Sequence, residues 1–183
     1  MKKHIIFFLS IIFCVGADIG FSQTYHPDNH ASFVKFTIKN MGMGTEGKMA
    51  GLEGEIKFNP ADLKNSFFSV SADAATINTD IDVRDSTLKT KEYLNTQQYP
   101  TIQFVSKQIS TGSRAGMYLV KGTLTIKGIS KDINFPFTVT TKNEGIQLTG
   151  EMRINRLDFK IGVGSVVLSD NLIVSLNVFA KKT

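Results

Sequence analysis

The sequence predicts an all-β fold built from eight antiparallel strands. Apolar and polar residues alternate with period two in eight segments of the chain, as expected for strands that are buried on one face. Turn-forming residues such as Asn59-Pro60 and Gly112-Ser113 separate most of these segments. No strand–helix–strand rhythm appears, which favours antiparallel pairing. Eight such strands close into a barrel or pack as a sandwich.

The first segment, residues 1–22, is predicted to be a secretory signal peptide. Lys2 and Lys3 precede an apolar run from Ile5 to Val15, and small residues suit cleavage after Ser22. A run of about 11 apolar residues is short for the roughly 20 of a transmembrane helix. A lipoprotein signal ending at Cys14 is the alternative, but Phe13 stands where a small residue is needed. We therefore expect a periplasmic or secreted domain over residues 23–183.

The strands follow in order along this domain. Within each strand, the apolar side chains share one face. Val120, Leu124 and Ile126, for example, alternate with lysine and threonine residues. The predicted strands cover residues 34–38, 52–58, 68–74, 102–104, 120–126, 133–139, 146–154 and 172–178.

Two segments lack alternation. Between Thr79 and Tyr99, Asp85 or Ser86 is predicted to cap a short helix that runs to Leu94 and places Leu88 and Tyr93 against the barrel. Residues 158–170 are rich in Gly and Val, which predicts a loop or a short helical turn.

Composition limits the classes of function. The net charge of +5 is modest and gives no indication of nucleic-acid binding. The apolar faces could point to lipid in an outer-membrane barrel, but Trp is absent and Tyr is scarce, so the aromatic girdles are missing. We therefore expect the apolar faces to point inward. Whether they pack solidly or enclose a cavity is left open, because an eight-stranded barrel can do either.

Few residues suggest catalysis. No nucleophile–base pair, metal-ligand motif or phosphate-binding loop is present. His26 and His30 have the spacing of helical metal ligands, but Pro27 lies between them and a strand follows, so no metal site and no cofactor are predicted. Four polar residues lie at predicted strand ends or irregular segments: Arg84, Asp85, Arg156 and Asp158. They either tie these segments to the barrel or place an arginine beside a ligand headgroup.

Several stretches together resemble the YceI-like family of exported bacterial proteins. They run over nearly the whole domain, in a specific order and spacing. The matching stretches are Ser32–Phe36, Thr79 with Arg84–Leu88, Tyr99–Phe104, Gly122–Gly128 continuing through Ile133 to Pro136, Asn155–Phe159 and Leu168–Asp170. Two positions depart from the family pattern: Ala31 and Asn40 stand where many members carry histidine.

The resemblance implies a lipocalin-like barrel whose apolar tunnel holds a polyisoprenoid or a fatty-acid-like chain. It favours a cavity over a packed core and places the segment from Arg84 to Leu94 at the barrel mouth. The predicted function is therefore lipid carriage, storage or sequestration rather than catalysis. An enzyme acting on a lipid or quinone at the mouth and a ligand-free interaction module are the alternatives. Transient membrane contact and a homodimer are left open. The expected ligand-facing residues are Phe36, Ile38, Phe58, Phe68, Val70, Leu88, Phe104, Leu124, Ile126, Phe135, Phe137, Met152, Ile154 and Val174.

Overall fold

A computed structural model describes residues 23–183 of the chain. The predicted signal peptide lies outside the described residues. Over these residues the structure is almost entirely β, with one short α-helix and three 3₁₀ turns. Its strands are β1 (Gln23–Pro27), β2 (Phe33–Asn40), β3 (Met43–Met49), β4 (Glu53–Phe58), β5 (Phe67–Asp73), β6 (Thr101–Thr111), β7 (Met117–Ile126), β8 (Ile129–Lys142), β9 (Gly145–Asn155) and β10 (Leu168–Lys182).

Eight antiparallel strands close into a barrel. In the ring, β1 pairs with β4, and the strands then follow in sequence order from β4 to β10. The ring closes where β10 pairs with β1, with Ala180 opposite Pro27. β2 pairs with the other part of the long strand β10, and β3 extends β2 as a hairpin. All eight predicted strands are present, and the predicted antiparallel barrel is confirmed.

Two strands were not predicted. β1 is short and contains a proline, and β3 has no apolar alternation because Gly47 occupies one of its inward positions. That glycine leaves room for an aromatic ring, since a Cβ at Gly47 would overlap the Phe36 ring. The sequence pattern of β3 is therefore weak even though the strand is complete.

The helix differs from its predicted bounds. Helix α1 spans Asp82–Lys89, so it begins before Asp85 and ends before Leu94. Its N-cap is Ile81, which has no side-chain oxygen and gives no sequence signal for a helix start. Asp82 and Asp85 lie in the first turn, where negative charge favours the helix dipole. Residues 160–167 form the predicted loop, after a 3₁₀ turn at Arg156–Phe159.

Candidate lipid-binding cavity

The barrel interior is divided along its axis. Four aromatic rings fill one end of the barrel, where the Phe68 and Phe137 centroids lie 5.3 Å apart and those of Phe58 and Tyr118 lie 5.0 Å apart. Such edge-to-face pairs stabilise a packed core. Val120, the next inward residue after Tyr118 on β7, has no exposed surface. This end is therefore closed by side chains.

The other half encloses a cavity of about 390 Å³. Its size falls within the range of small-molecule sites. The lining is overwhelmingly aliphatic and aromatic, and it follows β10 from Leu172 to Val178, a distance of about 20 Å along the strand. The interior is therefore neither wholly packed nor wholly hollow.

The structure brings most of the predicted ligand-facing residues to this cavity. Those that line it are Phe36, Ile38, Val70, Leu88, Phe104, Leu124, Ile126, Phe135, Met152, Ile154 and Val174. Three predicted residues do not, namely Phe58, Phe68 and Phe137, because they belong to the aromatic cluster at the closed end. Periodicity identified that these side chains point inward, but not their position along the barrel axis.

Other lining residues were not predicted. Some lie in recognised strands at inward positions that the strand pattern already marked, such as Ile102, Leu172 and Leu176. Others, such as Ile77 and Ile161, come from segments without periodicity and had no sequence signal. Tyr93, which was expected to pack against the barrel, also lines the cavity.

Arg84 and Arg156 both border the cavity, but their surroundings differ. Arg156 is 3% exposed. Its guanidinium donates to the carbonyl oxygens of Ser169, Ile161 and Leu168, and to Asp170 at 2.8 Å. Four of its five N–H groups are therefore engaged. This arrangement ties residues 161–170 to the barrel. Of the two roles that the sequence left open for Arg156, the structure therefore supports the structural one over contact with a ligand headgroup.

Arg84 keeps donors free. Its Nε donates to the Thr79 hydroxyl and one Nη2 hydrogen to the Thr79 carbonyl, each at 2.8 Å. Among the described residues, no carboxylate forms an ion pair with Arg84. Three of its five N–H groups therefore have no protein acceptor within residues 23–183. A half-buried cation with free donors at the edge of an apolar cavity is suited to a polar or anionic headgroup.

The two predicted acidic candidates do not line the cavity. Asp85 accepts hydrogen bonds from the backbone and the hydroxyl of Thr79, so it holds the segment before the helix. Asp158 is exposed. Neither is placed beside the cavity as an acid–base partner for an arginine.

The two histidines of the described chain have local partners. His26 Nδ1 lies 2.7 Å from the carbonyl oxygen of Gly54, and the backbone N–H of His30 donates to Asp28. Within residues 23–183, no group of three His, Cys, Asp or Glu side chains is arranged to hold a metal ion. In the same range, no helix has both the length and the apolar character needed to cross a membrane.

Lys127 connects two segments beside the cavity opening. Its ammonium donates to the carbonyl oxygens of Glu92 and Lys160, at 3.0 and 2.8 Å. Partial burial lowers the pKa of Lys127. The segment after the helix and the loop after β9 are therefore held together, and the backbone N–H of Gly162 adds a bond to the Glu92 carbonyl at 3.0 Å.

The comparisons with known proteins agree with this geometry. The family model described as YceI-like domain matches residues 25–180. Protein YceI of Escherichia coli O6:H1 is 22% identical, over 100% of both chains. The crystal structure of Burkholderia cenocepacia BcnA is 25% identical with a TM-score of 0.78, over 83% of this chain and 98% of that one.

A polyisoprenoid binding domain from Saccharophagus degradans, implicated in plant cell wall breakdown, is also similar. It superposes with a TM-score of 0.71 at 20% identity, over 88% of this chain and 99% of that one. At this identity the similarity concerns the fold.

Proposed function

This chain belongs to the YceI-like domain family, and we propose that it is an exported lipid-binding protein that holds one polyisoprenoid or long acyl chain. The observation that carries the proposal is the apolar cavity of about 390 Å³ in the open half of the barrel. Sequestration, storage or carriage of the chain would all use this cavity. The polyisoprenoid-binding description of the Saccharophagus degradans domain agrees with the proposed class of ligand.

The size of the cavity sets the scale of the binding energy. An unfilled apolar cavity costs about 24 cal/mol per Å³, so filling one of 390 Å³ recovers about 9 kcal/mol. Burial of about a dozen methylenes at about 0.8 kcal/mol each supplies a similar amount. Ordering the chain and restricting its motion remove several kcal/mol. With one charge-assisted headgroup contact, the expected dissociation constant is in the micromolar range.

Arg84 is the residue proposed to meet the headgroup. Its free N–H groups can donate to a carboxylate, a phosphate or a carbonyl oxygen, whereas the nearly complete hydrogen bonding of Arg156 leaves that residue a structural role. The cavity walls are apolar, so selectivity among chains of similar length is expected to be weak. The headgroup contact, rather than the chain, should distinguish acids from alcohols.

The test uses two probes with different headgroups. Lipid-free protein should bind both palmitate and the neutral isoprenoid alcohol geranylgeraniol. Arg84→Gln should reduce the affinity for palmitate by at least about tenfold, since a hydrogen bond to a charged group contributes about 1.5–3 kcal/mol. The same change should leave geranylgeraniol within about twofold.

The control is Lys121→Gln, which removes one positive charge from an exposed position on the outside of β7. It should leave the affinity for both probes unchanged. If neither probe binds to the unmodified protein, the proposed function is wrong. If Arg84→Gln weakens both probes equally, the arginine acts by supporting the cavity and not by contacting the headgroup.

A further inference from the structure

Exposed apolar side chains are concentrated around the cavity opening. Across residues 23–183, eight large hydrophobic residues are exposed. One of them, Phe33, is at the end of β2 away from the opening. The other seven form what we name the rim patch: Met41, Met43, Ile81, Val83, Val163, Val166 and Val167.

The rim patch is continuous with the cavity lining. Met41 follows Asn40, Val83 precedes Arg84 and Val167 precedes Leu168, and each of these neighbours lines the cavity. The patch also holds together across segments, because the backbone N–H of Met41 donates to the Val167 carbonyl at 2.8 Å. The exposed apolar surface therefore begins where the cavity wall ends.

The residues in these loops are unusual for exposed turns. Met41 and Gly42 form the two-residue turn between β2 and β3, with φ values of 51° and 78°. Asn-Gly is the preferred pair for such a turn, and a methionine with positive φ is disfavoured. Val166 has a relative exposure of 105%, so its side chain has no protein packing partner. The turn at Met41 and the loop at Val166 therefore expose apolar side chains at sites where polar residues would suit the fold better.

The charge around the rim patch is nearly balanced. Residues 40–45 and 161–169 contain no charged residue. The charged residues that adjoin the patch segments along the chain are of both signs: Lys39, Glu46, Asp80, Asp82, Arg84, Lys160 and Asp170. Attraction to an anionic surface is therefore not the main contribution expected from this end of the barrel.

We infer that the rim patch binds the interfacial region of a lipid bilayer, with the cavity opening of the barrel facing the bilayer. This inference rests on the proposed function, because it gives a water-insoluble chain a direct passage between the bilayer and the cavity. Apolar side chains on loops bind the boundary between headgroups and acyl chains without spanning it. A bilayer is favoured over a second copy of the chain because a copy seated on the patch would cover the opening through which the ligand must pass.

The test is co-sedimentation with vesicles of phosphatidylcholine alone. The experiment uses residues 23–183, which contain every strand of the closed barrel. This unmodified protein is compared with the double variant Met41→Asp/Val166→Asp, which changes two exposed tips and no residue of the cavity lining. The matched control is Ser113→Asp/Ala115→Asp, which adds the same charge to the exposed hairpin between β6 and β7.

The unmodified protein should sediment with the vesicles, and 0.5 M salt should leave its bound fraction unchanged. The rim variant should lose at least about tenfold in partition coefficient, because a single apolar side chain removed from contact already corresponds to about that factor. The hairpin control should stay within about twofold. Palmitate binding in solution should be equal in all three proteins, which also shows that the variants are folded.

Three results would overturn the inference: unmodified protein that stays in solution, a rim variant that sediments as well as the unmodified protein, or binding that 0.5 M salt abolishes. A dimer in analytical ultracentrifugation that the rim variant converts to monomers, with no vesicle binding, would assign the patch to a second copy instead. Vesicle binding by a protein that binds neither palmitate nor geranylgeraniol would support the docking surface and refute the proposed function, so the two failures are distinguishable.

Discussion

Filling the cavity with a larger side chain distinguishes a true cavity from a packed core. Ala72 lies on β5, pairs with Ile102 and lines the cavity. Ala72→Leu adds three carbon atoms where there is free volume. At about 0.8 kcal/mol per buried methylene, this change should raise the free energy of unfolding of the lipid-free protein by up to about 2 kcal/mol. A packed interior would respond with the opposite sign, a loss of about 1–3 kcal/mol from overpacking.

The same change should weaken ligand binding. The added carbons occupy space that about three methylenes of the ligand would fill, so about 2 kcal/mol of ligand contact is lost. This corresponds to a roughly thirtyfold rise in the dissociation constant. Stability and affinity should therefore move in opposite directions, which a general disturbance of the fold does not produce.

The assay is urea unfolding of lipid-free protein followed by circular dichroism, together with palmitate titration. Circular dichroism is suitable because the chain contains no Trp. Ala74→Leu is the matched control: Ala74 is 1% exposed and does not line the cavity, so the larger side chain should destabilise the protein. The reasoning is refuted if Ala72→Leu destabilises the protein as much as Ala74→Leu does, or if it leaves palmitate affinity unchanged.

Two further predictions concern residues with structural roles. Arg156→Met should lower the free energy of unfolding by about 3–5 kcal/mol, because three carbonyl groups and Asp170 lose their donor; a loss below about 1 kcal/mol in urea unfolding would contradict the structural role. The hydrogen bond from Lys181, aided by the backbone N–H of His30, lowers the pKa of Asp28 below its ordinary 3.8. The stability from this lowered pKa is present above pH 3.8 and is lost as the pH falls through the folded-state value. The difference in Tm between the unmodified protein and Asp28→Asn should therefore shrink between about pH 5 and pH 2, and a constant difference would contradict the assignment.

Much of the barrel could be predicted from the sequence because its strands are buried on one face only. Period-two alternation then marks each strand directly, as in β7, where exposed Lys121 follows fully buried Val120. β3 could not be predicted because its inward face includes Gly47, whose missing side chain is replaced by the ring of Phe36 from the neighbouring strand. The start of the helix was missed because Ile81 is not a residue that usually caps one.

The position of the cavity could be predicted only in part. Alternation shows which side chains point inward, but it does not show where along the axis the interior is filled. Phe104 and Phe137 have the same inward register, yet Phe104 borders the cavity and Phe137 packs in the aromatic cluster. The difference arises from which rings meet across the barrel, and these contacts depend on strand registers that no local pattern contains.

The most direct measurement of the central claim is native mass spectrometry of the protein purified without detergent from the cells that produce it, followed by organic extraction. We predict a discrete mass above that of the polypeptide, which extraction converts to the unliganded mass while releasing a polyprenyl or acyl species. A protein that is unliganded as purified, and stays so after incubation with isoprenoids and fatty acids, would contradict the account.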